Sequence, residues 1–242
     1  MPSDTTAELA PTGVLRAAIN LGNFLLVTGR SAGGEPQGVA PDLAREIAER
    51  LGVGIDYVPF TRPDALADAV DDGVWDIGLI GAEPVRAEKI AFTAAYAEIE
   101  AAYLIQAGSP LARLDNVDQP GVRIAVLAGS AYGLWLDRNI ERATLLRSRS
   151  ADGATRLFAD READVLAALR PGLLTELDRF PGARILEGRF TAVQQAVGTP
   201  RGNAAGAVFL RAFVEDAKRS GLVERLIERH HMAGRLSVAP LA

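Results

Sequence analysis

From residue 14 to residue 81 the chain alternates between two periods of hydrophobicity, and this alternation restricts the fold more than any single motif. Residues 14–19 read as a strand. Leu43, Ile47 and Leu51, with Ala44 and Ala48, make one apolar stripe of a helix over 38–52. Residues 55–60 are a second strand, 64–70 a short helix, and Ile77, Leu79 and Ile80 a buried third strand. Asp42 suits the first turn of the long helix and Gly52 supplies its stop. A β-α-β-α-β run of this kind specifies a parallel sheet with right-handed crossovers. A further strand over 122–127 leads to an amphipathic segment carrying Leu134, Trp135, Leu136 and Ile140, then to a helix over 151–159 and a strand over 162–167. Two helices, 204–220 and 221–231, close the chain and are expected to pack on the first half.

At 242 residues, 48% hydrophobic and 24% charged, the chain has the composition of a globule that buries a core, as one large domain or two small ones. A net charge of −5 without basic clusters argues against nucleic acid as a partner. Cysteine is absent, so neither disulfides nor thiolate chemistry arise. His230 and His231 beside Arg229 read as a solvated helix end, and no metal or other cofactor is expected. No apolar run approaches the ~20 residues that span a bilayer. Residues 1–13 read as a flexible leader without the basic start and apolar core of a signal peptide.

Function turns on the stretch from Trp75 to Arg86. Its strand ends in a Gly-containing loop, and Pro84 suits the first turn of a helix. Backbone N–H groups and the positive end of the helix dipole converge there, a setting for an anion. Arg86 falls in that first turn, where the dipole disfavours a cation. It therefore takes an anionic partner. Glu83, Glu88 or another surface acid is one such partner; a ligand carboxylate gripped by the two-pronged guanidinium is the other.

Residues 73–78 (Gly-Val-Trp-Asp-Ile-Gly) followed by 83–96 (Glu-Pro-Val-Arg-Ala-Glu-Lys-Ile-Ala-Phe-Thr-Ala-Ala-Tyr) resemble the family 3, polar amino-acid type, solute-binding proteins of ABC transporters. Their pattern reads G-x-x-D-h-h, then T-x-x-R-x-x-x-h-x-F-(S/T)-x-x-Y, with h apolar. Asp76, Arg86, Phe92, Thr93 and Tyr96 fall on it in register. Residues 38–52 resemble the family's G-F-x-x-D-L-A-x-x-h-A-x-x-L-G, with Val39 in place of the aromatic. Gly129-Ser130 matches the end of V-x-x-G-(S/T), Asp164 the first acid of G-x-h-D-A-h-h-x-D, and 199–203 a basic-Gly turn. The resemblance covers nearly the whole chain.

It implies a type II periplasmic-binding-protein-like α/β fold of two lobes, each a mostly parallel sheet flanked by helices, joined by two hinge strands. Lobe one is 1–98 with 199–242 and lobe two 99–198, the chain crossing near 97–101 and returning near 194–198. A ligand lies in the cleft and is trapped by hinge closure. Arg86 is assigned the ligand's carboxylate. Asn20, Asn23, Phe60, Gly81, Ala82 and Glu83 are the other candidate contacts of lobe one, and Gly129, Ser130, Ala131, Tyr132 and Arg170 those of lobe two. Gln194 and Gln195 lie in the hinge. Bland readings stand beside several of these: Asn20 and Asn23 as turn formers, Ser130 as a plain helix cap.

Two departures bear on the ligand. The family's Thr is Glu83 and its small hydroxyl residue is Gly81, which removes hydroxyl donors. The acid that holds an amino-acid ammonium falls on Leu169, with Arg170 beside it. A buried ammonium needs a carboxylate there. The expectation is a small organic acid lacking an α-amino group, carried for an ABC permease by a monomeric binding protein and not an enzyme. The rivals are a cyclohexadienyl-dehydratase-like enzyme and a non-exported sensory module. The resemblance implies the periplasm; the N-terminal sequence keeps a cytoplasmic location beside it.

Overall fold

The computed structural model describes residues 4–242. Of the expected leader, residues 1–3 lie outside the described residues, and Asp4–Leu9 is a helix (α1). A six-residue helix is not stable alone. Tertiary contact holds this one. Leu9 is fully buried, the Glu8 carboxylate accepts the Gly206 N–H at 2.7 Å, and the Glu8 carbonyl accepts from the Asn203 side chain at 3.2 Å. A Cβ on Gly206 would stand 2.7 Å from Leu9 Cδ2, so the helix seats over a glycine.

The chain continues through β1 (Val14–Asn20), a small ribbon of β2 (Gly29–Arg30) and β3 (Pro36–Gln37), α2 (Val39–Leu51), β4 (Gly54–Phe60), α3 (Pro63–Asp68), β5 (Ile77–Gly81), α4 (Pro84–Ala87) and β6 (Ile90–Ile105). There follow β7 (Arg123–Leu127), α5 (Ala131–Asn139), β8 (Thr144–Ser148), α6 (Ala151–Ala159), β9 (Val165–Leu169), α7 (Arg170–Glu176), β10 (Arg184–Ile185) and β11 (Thr191–Pro200). Two helices, α8 (Ala204–Arg219) and α9 (Leu222–Arg229), and the short β12 (Ser237–Val238) complete it. One compact unit comprises Met1–Glu98 and Gln194–Ala242, the other Ile99–Val193.

In unit one the strand order is β4-β1-β5-β11-β6. Strand β1 is parallel to both β4 and β5, as the alternating sequence requires, and β11 is antiparallel to β5. Val39, Leu43, Ala44, Ile47 and Ala48 form the buried face of α2. Burial of Leu43 and Ile47 stabilises it by about 1.5–3 kcal/mol each. Gly38 precedes it at φ 148°, where a Cβ would lie 2.2 Å from the Leu26 carbonyl oxygen. Gly52 ends it in the left-handed region. Trp75, fully buried with Ala18, Leu66, Val70, Ile80 and Ile90, anchors one core and donates its indole N–H to the Leu66 carbonyl at 3.2 Å. Helix α1 packs on α8 and α2 on α9. His230 is not solvated as expected: its Nε2 lies 2.7 Å from the Asp42 carboxylate and its Nδ1 3.3 Å from the Thr28 hydroxyl.

Unit two repeats the scheme with β6-β9-β7-β8. Strand β7 is parallel to β8 and β9, and β9 runs antiparallel to β6 with Leu169 opposite Ala101. Strand β9 starts three residues later than the sequence suggests and runs on to Leu169. One face buries Tyr103, Ile124, Val126, Tyr132 and Leu136; the other buries Leu104, Ala125, Phe158, Leu166 and Leu173.

A shared device starts the strands of both units. Asp76, just before β5, takes the Arg16 backbone N–H at 2.9 Å, its Nε at 3.0 Å and its Nη2 at 2.6 Å, while the Asp76 N–H donates to the Arg16 carbonyl at 2.9 Å. Asp164, just before β9, takes the N–H, Nε and Nη2 of Arg123 at 2.9, 3.1 and 2.9 Å, and returns its own N–H to the Arg123 carbonyl at 2.9 Å. Each clamp sets the register of two parallel strands. The two motif aspartates are thus structural residues.

Candidate functional site

Parallel strands end at one edge of each unit, and the loops after their carboxyl ends are where such sheets bind ligands. In unit one that edge carries the turn after β1, the end of β4 and the β5–α4 loop. Asn20 and Asn23 serve the turn: Asn20 Oδ1 accepts from the Gly22 N–H at 3.1 Å and Asn23 Oδ1 from the Leu25 N–H at 3.2 Å. The Leu21 N–H donates to the Phe60 carbonyl at 2.7 Å, which joins this turn to the end of β4. Phe60 is half-buried against the Trp75 core. Gly81 is buried, and Ala82 and Glu83 are partly buried.

Arg86 is only 6% exposed. Its Nη1 donates to the Gly81 carbonyl at 2.6 Å, which turns the side chain back over its own loop. Burial pushes its guanidinium down to about 10, against the opposing fields of Glu83, Asp64 and Asp68. A buried cation at a strand end is stabilised by any anion that reaches it. The helix behind it is a single turn of four residues, so the dipole contributes less than the sequence suggests. Glu83 stands at the N-cap of that turn. The loop is fixed to the neighbouring strand: the Ala82 N–H donates to the Gln194 carbonyl at 2.8 Å, and Gln195, buried, lies opposite Gly81. Gln194 Nε2 donates to Glu98 at 3.0 Å.

In unit two Ser130 is the cap of α5, its Oγ accepting the Gly133 N–H at 3.0 Å and donating to the Leu127 carbonyl at 2.7 Å. Gly129 lies just before it in the left-handed region, and Ala131 and Tyr132 are buried. Burial pushes the Tyr132 phenol up to about 12, partly offset by a hydrogen bond with Ser130. Arg170 is engaged within its own unit. Its Nε donates to the Glu100 carboxylate at 2.7 Å and its Nη2 to the Gly188 carbonyl, while Arg189 lies 3.6 Å from the other Glu100 oxygen. Leu169, at the position the resemblance gives to an acid, nevertheless has one close by. Glu100 is there, on the strand beside Leu169, and guanidinium groups meet both of its oxygens. An acid in an alternating strand reads as a solvent-facing residue, and its partners lie 70 and 89 positions on. Among the described residues no group of His, Asp and Glu is arranged to hold a metal ion, and no helix is long and apolar enough to cross a membrane.

Comparison with known proteins gives the chain its relatives. It is 25% identical over 232 residues to the cyclohexadienyl dehydratase of Pseudomonas aeruginosa, covering 91% of this chain and 84% of that one. Among solved structures it is similar to AncCDT-1, an ancestral amino acid-binding protein and precursor of cyclohexadienyl dehydratase. The TM-score is 0.73 at 20% identity, over 93% of this chain and 98% of that one. It is also similar to AbpA, an amino acid ABC transporter substrate-binding protein from Streptococcus pneumoniae bound to L-arginine. There the TM-score is 0.73 at 18% identity, over 94% and 98%. At these identities the solved structures carry the fold alone, that of the two-lobed periplasmic-binding-type proteins. The family model for bacterial extracellular solute-binding proteins, family 3, matches residues 26–233, and the chain belongs to that family.

Proposed function

We propose that this chain captures a small carboxylate-bearing ligand lacking an α-amino group, for uptake by an ABC-type permease, and that Arg86 grips the carboxylate. The observation that carries this is the buried Arg86 at the strand-end edge of unit one, its charge disfavoured by burial and so stabilised by an incoming anion. Its relative AbpA was solved with L-arginine. The present chain has Leu169 where the resemblance puts the ammonium's acid, and the nearby carboxylate of Glu100 is met by Arg170 and Arg189. An ammonium there competes with two guanidinium groups for one acid.

The test is a thermal-shift and calorimetry screen of amino acids against their matched 2-oxo and 2-hydroxy acids, repeated with Arg86→Ala. Stabilisation by oxo or hydroxy acids that disappears in the variant supports the proposal. Stabilisation by an amino acid and not by its oxo analogue overturns it. The dehydratase relative makes a second reading testable in the same screen: purified protein that converts prephenate to phenylpyruvate, followed by absorbance, is an enzyme.

A further inference from the structure

Resting on the assignment of Arg86, we infer that the ligand is a monocarboxylic acid with an apolar body. Several polar side chains at the strand-end edge of unit one are already engaged within the protein, Gln194 with Glu98 among them. The Asn20 and Asn23 side-chain oxygens are turned into their own loop, and Gly81 has no side chain. Arg62, the guanidinium just past β4, is held by Asp64 through Nε at 2.9 Å and through Nη2. Its charge is already offset by that neighbouring carboxylate. Glu83, whose field already reaches Arg86, repels a second ligand carboxylate.

The same edge leaves large apolar groups in water. Phe24, in the turn after β1, is 47% exposed, and Val85, in the turn that carries Arg86, is 51% exposed. Phe60 ends β4, the strand on the other side of β1 from β5, and is half-buried. Single exposed hydrophobes are ordinary. Here they share one strand-end edge with a buried cation. A ligand of one negative charge and an alkyl or aromatic body complements both, whereas a dicarboxylate or a polar amino acid complements only the cation.

The experiment is a ladder of straight-chain 2-oxo acids, 2-oxobutanoate, 2-oxopentanoate and 2-oxohexanoate, measured by calorimetry beside 2-oxoglutarate. Each buried methylene is expected to tighten binding about fourfold. Phe24→Ser combined with Val85→Ser, both at exposed positions that leave the core intact, is expected to flatten the ladder. Arg86→Ala is expected to weaken every member by the same factor. A flat ladder, with 2-oxoglutarate bound in an Arg86-dependent way, overturns the apolar-body inference and leaves the carboxylate assignment standing. A ladder whose slope survives in the Phe24/Val85 variant overturns the placement at this edge. Absence of any Arg86-dependent binding across all four acids overturns both.

Discussion

The two aspartate clamps offer a controlled measurement, because the same hydrogen bonds recur at two depths. The perturbation is Asp→Asn, which keeps the volume and opens no cavity. At Asp76 the amide oxygen retains the place of Oδ2 and its two bonds, from the Arg16 N–H and Nε. The amide NH2 then faces Arg16 Nη2, which was 2.6 Å from Oδ1. One charge-assisted bond becomes a contact between two donors. The Asp76 side chain is 4% exposed and that of Arg16 28%, so little water repairs the loss. A cost of about 2–3 kcal/mol follows, the scale for a hydrogen bond to a charged group. At Asp164 the geometry is the same, but the side chains are 40% and 43% exposed. Solvent screens that pair, and Asp164→Asn is expected to cost about 0.5–1 kcal/mol. Urea unfolding gives the totals. Native-state hydrogen exchange at the amides of β5 and β9 assigns each loss to its own unit. Equal costs at the two sites, or a larger one at Asp164, would refute the argument that depth sets the value of this clamp.

Glu83→Gln removes a negative charge close to Arg86, and carboxylate binding measured by calorimetry is expected to tighten several-fold. Weaker binding in that variant would make Glu83 a ligand-holding group. Ser130→Ala strips the cap from α5 and is expected to cost about 1 kcal/mol in chemical unfolding. Gly38→Ala brings a Cβ to 2.2 Å from the Leu26 carbonyl oxygen and strains a positive-φ position, so a clear fall in Tm is expected. The Arg123 side chain and N–H hold the Asp164 carboxyl below its ordinary value. Its folded value therefore lies under the unfolded one. The stability it adds is complete above the usual carboxylate range and is lost as pH falls through the folded value. Acid unfolding curves of wild type and Asp164→Asn are expected to converge at the acid end.

The sequence carried the parallel strands and the main helices because each has a local cause. Leu43, Ile47 and Ala48 recur at helical spacing, Gly52 stops α2, and Ser130 and Ser150 each precede the helix they cap. The elements that escaped notice have causes elsewhere in the chain. Helix α1 has one buried residue, Leu9, whose seat is built nearly two hundred positions later around Gly206. Strand β8, with two exposed residues among five, exists because β7 lies beside it. At the candidate site, Arg86 was legible from its place after a buried strand and Pro84. The commitment of Arg170 to Glu100 was not, since it depends on which residues two distant strands set side by side. Asp76 was visible as a motif residue, but its partner Arg16 lies 60 positions back.

The discontinuity of unit one has a consequence for synthesis. Unit two, Ile99–Val193, is a single stretch and has all its residues once the ribosome has passed Val193. Unit one has not. Its sheet places β11 between β5 and β6, so until β11 emerges those two strands present unpaired edges. Helices α8 and α9, which cover α1 and α2, arrive later still. Long-range pairing of this kind folds slowly, and open strand edges invite association with other chains. A chain cut after Val193 is therefore expected to aggregate although one of its two units has all its residues.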